Sequence, residues 1–279
     1  MTRSGALTGL RVVSLAVNLP GPLAVARLAA FGAAVTKVEP PAGDPLAVSM
    51  PCWYAELTAG QTIVTLDLKD PRDREKLDTE LVQADVLITA YRPSALRRLG
   101  LADAHRRFSG LTHVEIVGHE GNLAEAPGHD LTYQAAHGTL APPAMPTVPV
   151  ADMLGAERAV TATLLGVGEC AKTGMGQHSR VVLDDAAAFA GAAVRHGLMG
   201  PGAPLGGANP AYGIYATADG HIALAALEPH FWSRTCAALN VPGNREELER
   251  VFATRTTKEW EDLAQKVDIP LARVKSGAQ

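Results

Sequence analysis

The run Arg11-Val12-Val13-Ser14-Leu15-Ala16-Val17, then Asn18-Leu19-Pro20-Gly21-Pro22, then residues 23–31 and Ala34-Val35-Thr36-Lys37-Val38-Glu39 decide the fold. The first run is short and rich in β-branched residues, the pattern of a parallel strand buried on both faces. Asn18 to Pro22 break it, and residues 23–31 are helical in composition, with Gly32 as the stop. The next run is a second strand closed by Pro40-Pro41. Strand, helix and strand make a β-α-β unit, which predicts a parallel sheet covered by helices.

Working outward, residues 62–68, 85–90 and 111–117 read as further strands, and residues 71–82 as a charged helix with proline in its first turn. A helix over 131–137 and a long alanine- and leucine-rich helix from Asp152 to about Gly174 follow, and residues 177–194 supply a last scaffold element. Glycine and proline dominate 197–210. Beyond them, strands at 211–216 and 221–226 are joined by Asp219-Gly220, a hairpin signal, and helices follow at Glu228-Pro229, 246–252 and 257–265. The expected fold class is therefore α/β. A Rossmann-like parallel-sheet domain (1–196) is followed by a Gly/Pro linker (197–210) and a smaller α+β domain (211–279).

The totals agree with two domains. The chain has 279 residues, 47% hydrophobic and 19% charged, enough to bury a core. A net charge of −4 gives no basic field, so no nucleic-acid partner is expected. Asn18, Pro20, Gly21, Pro22 and Arg27 interrupt the apolar N-terminal stretch, which excludes it as a membrane span. Cys52, Cys170 and Cys236 are odd in number and widely spaced, which points to a reducing, cytoplasmic setting. His105, His113, His119, His137 and His178 lack metal-ligand spacing, so no metal is expected. A dinucleotide is not expected either. Glu39 does end a strand 18 residues after Gly21, but no Gly-x-Gly-x-x-Gly is present, and Pro20 and Pro22 remove amide donors.

The candidate chemistry lies in Gly128-His129-Asp130-Leu131-Thr132-Tyr133 and Ala151-Asp152-Met153-Leu154-Gly155. Taken alone, Asp130 and Asp152 read as helix caps, His129 as a polar residue before a cap, and Glu228 as a turn residue. Arg92 follows a strand at its carboxyl end, where open α/β sheets bind ligands; a phosphate grip and an ordinary surface arginine are equally open.

Together with Leu7-Thr8-Gly9-Leu10-Arg11-Val12-Val13, Gly43-Asp44-Pro45, Leu66-Asp67-Leu68-Lys69, Tyr91-Arg92-Pro93, Leu99-Gly100-Leu101 and Thr173-Gly174-Met175-Gly176-Gln177, these segments resemble one family. The chain is similar to the family III CoA-transferase superfamily (carnitine dehydratase/bile-acid-inducible type), which includes the α-methylacyl-CoA racemases. The resemblance implies catalysis by Asp152. It adds His129 and Glu228 through the Gly-His-Asp-x-x-Tyr and glutamate-proline segments of the racemase branch. Arg92, Lys37, Glu39, Asp130 and Tyr133 are the residues expected to hold coenzyme A, which enters as part of the substrate with no permanently bound cofactor. The chain departs from the family pattern at Thr58-Ala59-Gly60-Gln61, where a lysine is usual, and at Val148, where the racemase branch has asparagine.

Inverting a stereocentre beside a thioester needs one group to remove a proton and another to return one to the opposite face, which suits a histidine and a carboxyl of tuned pKa. Amides at the mouth of the Asp152 helix are expected to receive the enolate oxygen. The leading expectation is racemisation of 2-methylacyl-CoA by His129 and Asp152. The second is CoA transfer between carboxylic acids through an Asp152 anhydride. The third is a non-catalytic member that needs a partner chain. An acyl-CoA thioester is the expected small-molecule partner and a homodimer the expected assembly.

Overall fold

The structure is a computed structural model that describes residues 5–275, and its chain divides into two compact units, Met1–Gly191 and Ala192–Gln279. The outer limits of the expected domains, residues 1 and 279, lie outside the described residues. In the first unit β1 (Arg11–Ser14), α1 (Pro20–Ala30) and β2 (Ala34–Glu39) form the β-α-β unit that the apolar runs predict. Two short helices that the sequence reading did not anticipate, α2 (Pro45–Ser49) and α3 (Pro51–Leu57), precede β3 (Thr62–Thr65). Proline opens each of them, where its missing N–H costs nothing. Next come α4 (Pro71–Val82), β4 (Val86–Thr89), α5 (Pro93–Arg98), α6 (Ala104–Arg107), β5 (Thr112–Val117), α7 (Asp130–Ala136), α8 (Val150–Thr173), β6 (His178–Val182) and α9 (Leu183–Ala190).

All six strands are parallel, in the order β3-β2-β1-β4-β5-β6. The chain reverses direction across the sheet between β1 and β4, the topological switch point where such sheets open a ligand crevice at their carboxyl ends. Strand parity divides the core. Val12, Val86, Ile88, Val114, Ile116 and Val181 pack with α1, α8 and α9 on one face. Val13, Leu15, Leu87 and Leu111 pack with α4, α5 and α6 on the other. Helix α8 stops at Gly174, whose φ of 71° is the left-handed conformation open to glycine, and its N–H closes on Cys170 O at 2.8 Å.

The second unit opens with α10 (Ala192–Arg195) and holds an antiparallel sheet of β7 (Tyr212–Ala216), β8 (His221–Ala225) and β9 (Leu271–Arg273). Helices α11 (Pro229–Leu239), α12 (Arg245–Phe252) and α13 (Thr257–Val267) cover a core of Tyr215, Ile222, Leu224, Phe252 and Trp260. Residues 197–210, read as a linker, carry one tight turn at Pro204–Ala208, in which Gly206 and Gly207 leave helical backbone angles. No helix among the described residues is long and apolar enough to cross a membrane.

Candidate active site

The segments that leave the carboxyl ends of β1, β4 and β5 enclose one cleft of about 210 Å³, lined by Asn18, Arg92, His129, Tyr133 and Asp152 among others. His129 and Asp152, 23 positions apart in sequence, thus face one space.

His129 is the N-cap of α7, where its backbone N–H donates to the Thr132 hydroxyl at 3.1 Å while its imidazole stays exposed. This corrects the expectation that Asp130 caps its own helix. Asp130 is the first residue of α7 and caps α8 instead. Its Oδ1 accepts from the N–H groups of Ala151 (2.8 Å) and Asp152 (3.2 Å), and its Oδ2 from Gln134 at 2.6 Å. Gln134, itself buried, also donates to Val148 O at 3.0 Å. Five groups at the two helix mouths are thereby tied into one network, in which Asp130 satisfies two of the first N–H groups of α8 that have no partner inside the helix.

A second expectation fails with the first. The amides at the mouth of the Asp152 helix were expected to be open to an enolate oxygen, but those of Ala151 and Asp152 are taken by Asp130.

The Asp152 side chain, in the first turn of α8, accepts no hydrogen bond from the described residues. Burial first, and the neighbouring Asp130 carboxylate second, push its carboxyl up from an ordinary 3.8 to about 6. A half-buried acid with no internal donor is costly for folding and useful for chemistry. Tyr133 is buried beside it, and its hydroxyl fills the space left by two glycines: a Cβ on Gly118 or Gly128 would lie 2.4 or 2.5 Å from it. Burial, then the charges of Asp152 and Asp184, raise the phenol's pKa, so it is a neutral donor near neutral pH. Arg92 is exposed and makes no ion pair among the described residues, so its guanidinium is available to a ligand.

The remaining expected residues sit elsewhere. Lys37 is 1% exposed, and its ammonium donates to Asp44 at 2.8 Å and pairs with Glu39 at 3.0 Å; Glu39 also accepts from Tyr54 at 2.8 Å. Asp44 in turn accepts from Asn18 N (3.1 Å) and Leu46 N (3.0 Å), so this buried triad fastens the loop that carries Asn18 to the cleft. Glu228 belongs to the second unit, where it is exposed as the N-cap residue of α11.

The sequence reading missed a larger cavity of about 650 Å³ that borders Val38, Glu39, Leu66, Lys69, Tyr91 and Arg98. Lys69 and Arg98 are exposed there and form no ion pair among the described residues. Lys69 lies in the motif Leu66-Asp67-Leu68-Lys69 and Arg98 ends α5, the helix that follows β4, so a search for cations after strand ends would have found them. Tyr91 lines both cavities.

Residues 7–279 match the sequence profile of CoA-transferase family III. The chain belongs to that family. Its family III relatives include a CaiB/baiF CoA-transferase family protein of Caenorhabditis elegans, 28% identical over 92% of this chain and 82% of the relative. The human α-methylacyl-CoA racemase is 28% identical over 91% of this chain and 74% of its own. The cinnamoyl-CoA:phenyllactate CoA-transferase of Clostridium sporogenes is 27% identical over 95% and 77%. Among solved structures, the Rv3272 protein of Mycobacterium tuberculosis superposes with a TM-score of 0.84 at 23% identity, over 98% of this chain and 86% of that one. That likeness speaks for the fold. Family III thus contains enzymes named as racemases and as transferases, all acting on CoA thioesters.

Proposed function

We propose that this chain racemises the α-carbon of a 2-methylacyl-CoA by proton transfer between His129 and Asp152. The observation that carries this reading is the cleft that presents an imidazole together with a carboxyl of pKa about 6. Neutral His129 takes the α-proton from one face, the C–H electron pair moves into an enolate of the thioester, and protonated Asp152 returns a proton to the other face. The reverse direction uses the same two groups in exchanged roles. With a pKa of about 6, about a tenth of Asp152 is protonated at pH 7, enough for both roles to be populated. Since Asp130 holds the α8 amides, the enolate oxygen is stabilised by the Arg92 guanidinium and the Tyr133 hydroxyl. The larger cavity, which shares Tyr91 with the cleft, receives the phosphate-bearing end of CoA against Lys69 and Arg98.

A second reading, CoA transfer, is favoured by one observation: the Asp152 carboxyl accepts no hydrogen bond from the described residues and lines the cleft. As a nucleophile it would attack the thioester carbonyl, expel CoA thiolate and form an acyl anhydride.

The test is a single incubation of the protein with (2S)-2-methylacyl-CoA in deuterated water, followed by addition of a free carboxylic acid. Deuterium at the α-carbon with loss of optical purity, abolished in His129→Ala, supports racemisation. CoA exchange into the added acid, without α-deuterium and lost in Asp152→Ala, would replace it by transfer. Silence in both assays would refute both readings and leave the partner-dependent one.

A further inference from the structure

On the sheet face opposite α8, strand parity gathers side chains that the cleft does not use. His113 and Glu115 alternate along β5; β6 pairs with it in register, His113 beside His178 and Glu115 beside Arg180. Their neighbours Val114, Ile116 and Val181 point the other way, into the core beneath α1, α8 and α9. His113, Glu115 and His178 each offer one ligand atom, and these atoms lie within 4.8 Å of one another.

We propose that His113, Glu115 and His178 form a site for a divalent transition cation of the zinc type, tying the edge strand β6 to β5.

Four observations carry it. His113 is fully buried, and its Nδ1 has no hydrogen-bond partner among the described residues. Its Nε2 sits 3.0 Å from the Thr89 hydroxyl. When Nε2–H donates to that hydroxyl, Nδ1 carries the lone pair, the arrangement in which an outer hydrogen bond fixes the tautomer of a ligating histidine. An orphaned buried imidazole nitrogen is otherwise a net cost to the fold.

Glu115 is held for the same role. Arg180 Nη2 and Nε grip its Oε2 at 2.9 and 3.0 Å, which fixes the carboxylate plane and leaves Oε1 toward His178 Nε2, 3.1 Å away.

His178 supplies access from solvent, since it is exposed on the edge strand, and its ring is stacked on His105 at 5.1 Å and 11°. Imidazole and carboxylate ligands suit zinc or its neighbours, and three protein ligands leave one position for water. A tetrahedral zinc site has ligand–ligand edges of ~3.4 Å, from bonds of ~2.0–2.2 Å. The exposed member, His178, therefore moves inward on binding.

Sequence spacing hid this group because two of its members meet only across a strand pair.

The full chain, freed of metal by a chelator and then titrated with Co²⁺ or Zn²⁺ alone, tests the site. Expected are one equivalent bound per chain, a visible d–d absorption with Co²⁺, and a higher melting temperature with Zn²⁺. In His178→Ala, a change at an exposed position, binding should weaken at least 100-fold with unchanged circular dichroism. Glu115→Gln should behave likewise, and His137→Ala should bind as the parent does. No Co²⁺ band and no melting shift in the parent would overturn the proposal. So would binding that survives His178→Ala or is lost in His137→Ala.

Discussion

Asp152→Asn should abolish activity and at the same time stabilise the protein, by an amount that depends on pH. The carboxyl's pKa rises from 3.8 in the open chain to about 6 in the fold. Because the folded value is the higher one, the folded state disfavours the carboxylate. The cost is fully present well above pH 6, shrinks as pH falls between about 6 and 3.8, and vanishes only well below 3.8, where both states are protonated. At ~1.36 kcal/mol per pH unit, the rise corresponds to a ceiling of ~3 kcal/mol, reduced by whatever water reaches the cleft. The neutral amide escapes this cost, and no internal hydrogen bond is lost, since the carboxylate accepts none from the described residues. Urea denaturation of parent and variant at pH 8 and pH 4 reads the difference directly. The variant midpoint should lie higher at pH 8 by up to ~1 M, and the offset should shrink to ~0.2 M or less at pH 4. Taking the difference at each pH cancels the titration of every group that is not coupled to Asp152, as Asp130 and Tyr133 are. An offset that is the same at both pH values, or a variant less stable at pH 8, would refute the idea that Asp152 is held in a costly ionisation state.

Three further outcomes follow from neighbouring groups. Asp130→Asn keeps an oxygen for the α8 amides but removes the like charge; the acid limb of the pH–rate profile should move to lower pH, by only part of the rise because burial is the larger cause. Arg92→Ala should lower kcat ~100-fold or more if the guanidinium meets the enolate, whereas a change confined to KM would assign it to ground-state binding. Lys37→Met leaves Glu39 and Asp44 buried without their cation and should cost ~3–5 kcal/mol by urea denaturation.

The parallel sheet was legible because its strands are nearly continuous apolar runs and its helices begin at prolines or acidic caps, as at Pro71 and Asp70. The hairpin at Asp219-Gly220 was equally plain, and there Thr217 N closes on Gly220 O at 2.9 Å. Helices α2 and α3 were hidden because Pro45 and Pro51 resemble loop punctuation when no long amphipathic period follows. Strand β9 is three residues long, too short for alternation to register, and is fixed by pairing with β8. Within the cleft, the residue types at 129 and 152 could be picked from sequence, but their relation could not. It depends on Asp130 reaching across 21 positions to the Ala151 amide. Lys37 looked like a ligand-binding cation because burial of a lysine inside a triad leaves no local trace in the chain. The His113–Glu115–His178 group escaped for a related reason, since strand pairing brings its members together.

Asp130 joins the fold to the proposed chemistry. A helix mouth normally advertises its unpaired amides to a ligand. Here one carboxylate closes two of them and, by the same proximity, adds its charge to the environment of Asp152. The oxygen that accepts the Asp152 N–H therefore both fixes where the side chain stands and raises the pH at which it releases its proton. Gln134 extends the link by binding Asp130 and Val148 O, so the starts of α7 and α8 are held in one register. His129, one residue before Asp130, inherits that register. A displaced Asp130 would shift the imidazole, the carboxyl and the carboxyl's pKa together. That coupling is why the pH profile of Asp130→Asn, read beside its stability, separates an electrostatic role from a merely architectural one.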